Sequence, residues 1–71
     1  MIVTFVRIAE LKSFSRAARQ LGYSQSAVTM QMKQLEEELQ VPLFERVGKG
    51  IALTQAGKRL LPKALELLAS V

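Results

Sequence analysis

The chain has 71 residues, 49% of them hydrophobic, which suits one small domain with a single packed core and excludes a disordered chain. Cysteine, histidine and aspartate are absent, so disulfides and thiolate metal sites are excluded and the commonest general bases are missing. The net charge of +4 favours a polyanionic partner, and together these features predict a binding module without enzymatic activity, metal or cofactor.

The first two predicted elements are helices. From Ile2 to Leu11 the apolar residues recur with the spacing of a helix that has a broad buried face. Ser13-Phe14-Ser15 interrupts that pattern, and we expect Ser15 to cap a short second helix, about Arg16 to Leu21. Gly22 is placed to adopt the left-handed conformation that ends a helix.

A third, longer helix is expected to begin after Ser24, its cap, and to run to about Gln40, where Val41-Pro42 stops it. Two helices separated by so tight a turn are typical of the helix-turn-helix motif. At about 100° per residue, one narrow face of the third helix is apolar and forms core: Val28, Met32, Leu35 and Leu39. The adjacent face carries Gln25, Ser26, Thr29, Met30 and Lys33, although Met30 can alternatively belong to the core.

Two short apolar strands, Leu43–Val47 and Ile51–Leu53, flank Gly48-Lys49-Gly50 and predict a β-hairpin. The order helix, helix, helix, hairpin, helix predicts a mainly α fold with a small β-hairpin. We expect a winged helix-turn-helix domain over residues 1–54, followed by a long linker helix over residues 55–71.

The linker helix is expected to be capped by Thr54 and kinked at Pro62, which frees the carbonyl of Lys58. Its apolar residues fall into two stripes, Leu60, Ala64, Leu67 and Val71 on one side and Leu61, Leu65 and Leu68 on the other. One stripe can pack on the domain and the second then needs another partner, such as a second copy. The alternative is a single wide core face.

The polar face of the third helix has the chemistry of a DNA-contacting surface. In a helix-turn-helix the first half of the second helix enters the major groove. Glutamine can bind adenine edges at two points, threonine can touch a thymine methyl, and lysine reaches guanine or phosphate. The alternative is an ordinary solvated face of an amphipathic helix.

The distribution of charge along the chain also fits a DNA-contacting surface. Basic residues dominate residues 1–35 and 46–71, on either side of four glutamates, Glu36, Glu37, Glu38 and Glu45. Arg46 and Lys49 bracket the glycine-rich turn, where they can lie over a phosphate backbone or enter a minor groove. The alternatives are a solvated hairpin tip, pairing of Arg46 with the glutamates, and a simple scatter of surface charges.

Two segments carry a family resemblance: SFSRAARQLGYSQSAVTMQMKQLEEEL, from Ser13 to Leu39, and PLFERVGKGIALTQAGKRLLPKA, from Pro42 to Ala64. With them, the chain from Phe5 to about Leu68 resembles the DNA-binding domain of LysR-type transcriptional regulators. The matching residues are Phe14, Ala17-Ala18, Ser24-Gln25, Leu35-Glu36, Leu43-Phe44-Glu45-Arg46, Leu53-Thr54 and Ala56-Gly57.

The resemblance implies sequence-specific binding of double-stranded DNA by a bacterial transcription regulator. It implies base contacts from Gln25, Ser26, Thr29 and Met30. It implies phosphate-backbone support from Ser24, Gln31, Lys33 and Thr54, with the wing residues Arg46 and Lys49 along the minor groove. The sequence departs from the family habit at three of these positions. The family often has Pro where Ser26 stands, Ser where Thr29 stands, and Arg or another polar residue where Met30 stands.

The resemblance also implies a homodimer on an interrupted palindromic operator. The linker helices would pair antiparallel through Leu60, Leu61, Ala64, Leu65 and Leu68. A small-molecule effector would act only through a longer domain that these residues do not contain. No membrane span and no secretory signal is apparent in the sequence, so the expected location is the cytoplasm, at the nucleoid.

Three other functions stay open from the sequence alone. The first is a winged helix that binds proteins and never touches DNA. The second is another family of winged-helix regulators, such as the molybdate-responsive kind. The third is a small enzyme built on a Ser–Lys pair, although so short a chain can hardly enclose a pocket for it.

Overall fold

The computed structural model describes residues 1–69 and confirms the predicted fold class, with four helices and a two-stranded antiparallel hairpin. The predicted end of the last helix, Val71, lies outside the described residues. Within residues 1–69, no helix is both long enough and apolar enough to cross a membrane. The elements are α1 (Ile2–Leu11), α2 (Phe14–Leu21), α3 (Gln25–Leu39), β1 (Phe44–Val47), β2 (Gly50–Leu53) and α4 (Gln55–Ala69).

The start of α2 differs from the prediction, because Ser13 and not Ser15 is its cap. Lys12 ends α1 in the left-handed conformation, with φ 55°, and its amide donates to the carbonyl of Ile8. Ser13 is then extended, and its Oγ accepts from the amide of Arg16 at 3.1 Å. The helix therefore begins at Phe14, two residues earlier than expected, and Ser15 lies within its first turn.

The turn between α2 and α3 follows the prediction. Gly22 ends α2 with φ 76°, a backbone conformation that side chains disfavour. Ser24 caps α3 by accepting from the amide of Ala27 at 3.1 Å. The end of α3 has a different cause from the expected one, since Gln40 adopts φ 62° and closes the helix two residues before Pro42.

The core lies where α1, α2 and α3 meet α4 and the base of the hairpin. Its largest fully buried side chains are Phe5, Ile8, Met32, Leu43, Val6 and Val28. The Phe44 ring lies 5.6 Å, centroid to centroid, from both Phe5 and Phe14, so it anchors the hairpin on α1 and α2. The predicted apolar stripe of α3 is confirmed at Val28, Met32 and Leu35 but wrong at Leu39, which is 44% exposed.

The exposure of Leu39 follows from the length of α3. Fifteen residues make a helix about 22 Å long. Its last turn lies outside the core, since every residue from Glu37 to Gln40 is exposed. The apolar spacing of the sequence continues beyond the point at which core is available to cover it.

The hairpin pairs Phe44 with Leu53 at its base and Val47 with Gly50 at its tip. Its turn is therefore Gly48-Lys49, and β2 begins one residue earlier than predicted. Gly48 has φ 59°, the positive value that two-residue hairpin turns of this kind require at their first central position. This turn places Lys49 at the tip of the wing.

The start of α4 is bonded to the base of the wing. The Thr54 hydroxyl accepts from the amide of Gly57 at 3.1 Å, which confirms it as the cap of α4, and donates to the carbonyl of Pro42 at 2.6 Å. Gly57 is buried, and a Cβ there would lie 2.8 Å from Leu53 Cδ2 and run into the carbonyl oxygen of Leu43. Glycine is thus needed where α4 crosses the hairpin.

Beyond Gly57, α4 continues without a break through Pro62. The two predicted stripes are not separate, because members of both pack on the core of this chain. Ala64 is fully buried in the core, and half-buried side chains from both stripes pack against that core: Leu60, Leu61 and Leu68. The predicted role of Ala64 in contact with a second copy is therefore wrong, since this chain covers its side chain completely. Leu65 and Leu67 remain 44% and 58% exposed.

Candidate nucleic-acid interface

The exposed face of α3 forms a shallow depression of about 490 Å³. Five side chains line it, and all five are exposed: Gln25, Ser26, Thr29, Met30 and Lys33. They share this face because Val28, Met32 and Leu35 turn the other side of the helix into the core. The predicted grouping of these five residues is confirmed, and the alternative that Met30 belongs to the core is wrong, since 63% of its surface is exposed.

A second concave surface lies between the helix-turn-helix and the wing. This cleft, of about 410 Å³, is lined on one side by Lys12 and Ser13, and on the other by the wing residues Arg46 and Lys49. Gln25 and Thr29 line both the cleft and the depression. The two surfaces are therefore continuous along the first turns of α3.

The cleft is positively charged. Among the described residues the one ion pair is Arg7 with Glu10, at 2.7 Å, and neither of these residues lines the cleft. The predicted alternative that Arg46 pairs with Glu45 or the other glutamates is therefore wrong. Neighbouring residues of a strand point to opposite faces, so Glu45 and Arg46 diverge. Lys12 was not singled out in the sequence, because only the tertiary fold brings it opposite the wing.

Glu36 is the acidic residue in the lining of the cleft, and backbone amides donate hydrogen bonds to its carboxylate. Its Oε2 accepts from the amide of Leu43 at 2.6 Å and from that of Phe44 at 3.4 Å. The carboxylate thereby joins α3 to the first residues of the wing. The sequence showed Glu36 only as part of an acidic run and of the family pattern.

Two predicted phosphate-binding residues are not brought to these surfaces. Gln31 lies half-buried beside α1, and its Oε1 accepts from the buried Thr4 hydroxyl at 2.7 Å. It lines neither the depression nor the cleft. Thr54 lies at the base of the wing, and its single hydroxyl proton is donated to Pro42, so it has none to offer a phosphate. Ser24, by contrast, is exposed at the start of α3 beside the predicted base contacts.

Nothing in the described part of the chain, residues 1–69, groups three or more metal-binding side chains in positions to hold an ion. The remaining features are an exposed polar helix face, a cationic cleft and a hairpin wing. Residues 1–58 match the family model described as bacterial regulatory helix-turn-helix protein, lysR family. The chain belongs to the lysR family. This result confirms the resemblance found in the sequence and removes other winged-helix regulator families as alternatives.

Curated relatives within the lysR family match almost the whole chain. The HTH-type transcriptional regulator DgdR of Burkholderia cepacia is 47% identical over 68 residues, which cover 96% of this chain and 23% of DgdR. The uncharacterized HTH-type transcriptional regulator YbhD of Escherichia coli K12 is 52% identical over 64 residues, 90% of this chain and 20% of YbhD. The chain thus spans less than a quarter of the length of these relatives.

Solved structures also match almost the whole chain. The crystal structure of the BenM DBD/catB site 1 DNA complex has a TM-score of 0.92 at 33% identity, over 97% of this chain and 77% of that one. The crystal structure of the CbnR DBD–DNA complex has a TM-score of 0.89 at 40% identity, over 96% of this chain and 78% of that one. Both of those proteins are in complex with DNA.

Proposed function

We propose that this chain binds double-stranded DNA sequence-specifically, as the DNA-binding domain of a bacterial transcription regulator and not as an enzyme. One observation carries the proposal: the exposed face of α3 and the cationic cleft form one continuous concave surface, joined at Gln25 and Thr29. An α-helix fits the major groove, and hydrogen-bonding side chains on its first turns then face the base edges. The DNA complexes of BenM and CbnR, two proteins of the same fold, support the same function.

Within this proposal, Gln25, Ser26, Thr29 and Met30 contact bases. Phosphates are bound by Lys33, by the amides at the start of α3 next to Ser24, and by the cations of the cleft, Lys12, Arg46 and Lys49. The wing then lies along the backbone or the adjacent minor groove. Gln31 and Thr54 act within the protein, by holding α1 on α3 and α4 on the base of the wing.

The proposed assembly is a homodimer through α4 on two half-sites of an interrupted palindrome. A two-fold axis would bring together four leucines of α4 that are exposed or half-buried in one copy: Leu60, Leu61, Leu65 and Leu68. Because the target would be a bacterial chromosome, the proposed place of action is the cytoplasm.

The experiment selects preferred duplexes from a randomised pool and measures their affinity and that of scrambled duplexes across a range of salt concentrations. The affinity is expected to fall linearly in a log–log plot against salt. Gln25→Ala should weaken binding to the selected duplex about 5- to 150-fold, because a bidentate base contact contributes about 1–3 kcal/mol. Its affinity for scrambled duplexes should change about twofold or less, since phosphate contacts supply that binding.

Gln34→Ala is the matched control, since Gln34 is an exposed glutamine of the same helix that lines neither concave surface. It should leave both affinities unchanged. Equal losses on selected and scrambled DNA in Gln25→Ala would contradict base contact by Gln25. A chain that binds no duplex at any salt concentration would contradict the proposed function and favour the protein-interaction alternative.

A further inference from the structure

Met30 is apolar, whereas the other residues of the surface on which it lies are polar or charged. It is the one apolar side chain among the five that line the depression of α3. At 63%, its exposed fraction is higher than that of any other large hydrophobic side chain in the part of the chain that the structure describes. The fold does not require it there, because Val28, Met32 and Leu35 already supply the core face of α3.

We propose that Met30 is a specificity-determining residue that contacts the 5-methyl group of a thymine. This inference rests on the proposed function, in which α3 occupies the major groove. Base edges there present hydrogen-bond donors and acceptors and one apolar group, the thymine methyl. A thioether donates no hydrogen bond and accepts only weakly, so contact with any other group would leave polar atoms desolvated and poorly paired.

The side chain of methionine suits such a contact. It is unbranched and polarizable, and its rotatable bonds let it follow an irregular apolar surface. Its polar neighbours Ser26 and Lys33 can bind the flanking base edges or phosphates while Met30 covers the methyl group. Contact between the methionine side chain and the thymine methyl removes apolar surface of both groups from water, which favours binding.

The position of Met30 also indicates where the thymine lies. Gln25 and Thr29 line the depression and the wing cleft, whereas Ser26, Met30 and Lys33 line the depression alone. Met30 therefore faces the side of the depression away from the wing. The thymine is expected in the half-site at a base pair farther from the wing than those contacted by Gln25.

The test uses the selected duplex and replaces each thymine in turn by deoxyuridine, which removes the methyl group and keeps every hydrogen-bonding atom. At one thymine per half-site, the replacement should weaken binding of the unmodified chain about fourfold, the value for losing one buried methyl group. Met30→Ala should bind thymine and deoxyuridine equally at that position. Gln25→Ala should retain the fourfold ratio there, because it contacts a different base pair.

Leu39→Ala is the matched apolar control: Leu39 is an exposed residue of α3 that lies outside the depression, so this variant should retain the fourfold ratio. Since Met30 is exposed, Met30→Ala is expected to fold, which its helical circular dichroism verifies. The inference is overturned if no thymine methyl affects affinity, if the ratio persists in Met30→Ala, or if that variant weakens all duplexes equally. A chain that binds no DNA overturns the proposed function and this inference together, whereas these three outcomes overturn the inference alone.

Discussion

Gly57→Ala tests how closely α4 approaches the base of the wing. The added methyl group would run into the carbonyl oxygen of Leu43 and lie 2.8 Å from Leu53 Cδ2. The leucine side chain can rotate away, but the carbonyl cannot. The carbonyl oxygen of Leu43 accepts from the amide of Thr54 at 3.0 Å, and the amide of Leu43 donates to the Glu36 carboxylate at 2.6 Å. Relief therefore requires α4 to shift on the hairpin.

Two opposing effects set the size of the change. Alanine is favoured over glycine in a helix by about 1 kcal/mol. Overpacking of a well-packed site costs about 1–3 kcal/mol, and overlap with a backbone atom places this site at the upper end. The free energy of unfolding should therefore fall by about 2 kcal/mol. For a domain of this size, that loss lowers Tm by about 8–16 °C.

Thermal and urea unfolding followed by far-UV circular dichroism measure the effect. The control is Gln55→Ala, which introduces the same residue at an exposed position in the same turn of α4 and should change stability by less than about 0.5 kcal/mol. If Gly57→Ala were as stable as the unmodified chain, or more stable, the added methyl group would meet no clash larger than the gain in helix propensity. The close packing of α4 on Leu43 would then be refuted.

Two further predictions concern the cleft. Lys49→Ala should weaken binding to selected and scrambled duplexes alike and flatten the log–log salt dependence by about one unit. An unchanged slope would exclude a close phosphate contact at Lys49. The control is Lys63→Ala, which changes an exposed lysine of α4 outside the cleft and should leave the slope unaltered. Glu36→Gln should lower the free energy of unfolding in urea by about 1–2 kcal/mol, because a neutral amide replaces the charge-assisted acceptor of the Leu43 amide. The exposed Glu37→Gln serves as its control, and equal stability of the two variants would show that the carboxylate does not hold the wing.

Local signals predicted most of the fold. Gly22 and Ser24 mark the turn of the helix-turn-helix by their own conformational and capping preferences, and both act as expected. The start of α2 was predicted wrongly because two serines compete for the cap. The choice between them depends on Lys12, which enters the left-handed conformation without the glycine that usually signals it.

The parts of the site that the sequence did not predict depend on contacts between distant residues. Thr4 and Gln31 are 27 positions apart in the sequence, and the hydrogen bond between them links α1 to α3. The side chain of Gln31, which the resemblance implied as a phosphate contact, is therefore engaged within the protein. Lys12 joins the cleft only because the fold brings the end of α1 opposite the wing. Helical periodicity places side chains on faces, but it does not state which faces meet.

The distribution of roles around α3 explains how its DNA preference can vary without loss of the fold. The buried face, represented by Val28 and Met32, contributes to the core, whereas every residue that lines the depression is exposed. A substitution at Met30 is therefore expected to alter the depression with little effect on packing. Glu36 is the exception, since it lines the cleft and also holds the first amides of the wing. Changes at Glu36 should move the wing relative to α3 and so alter affinity for all sequences. Under the proposed function, changes in the depression are expected to alter which sequence is bound.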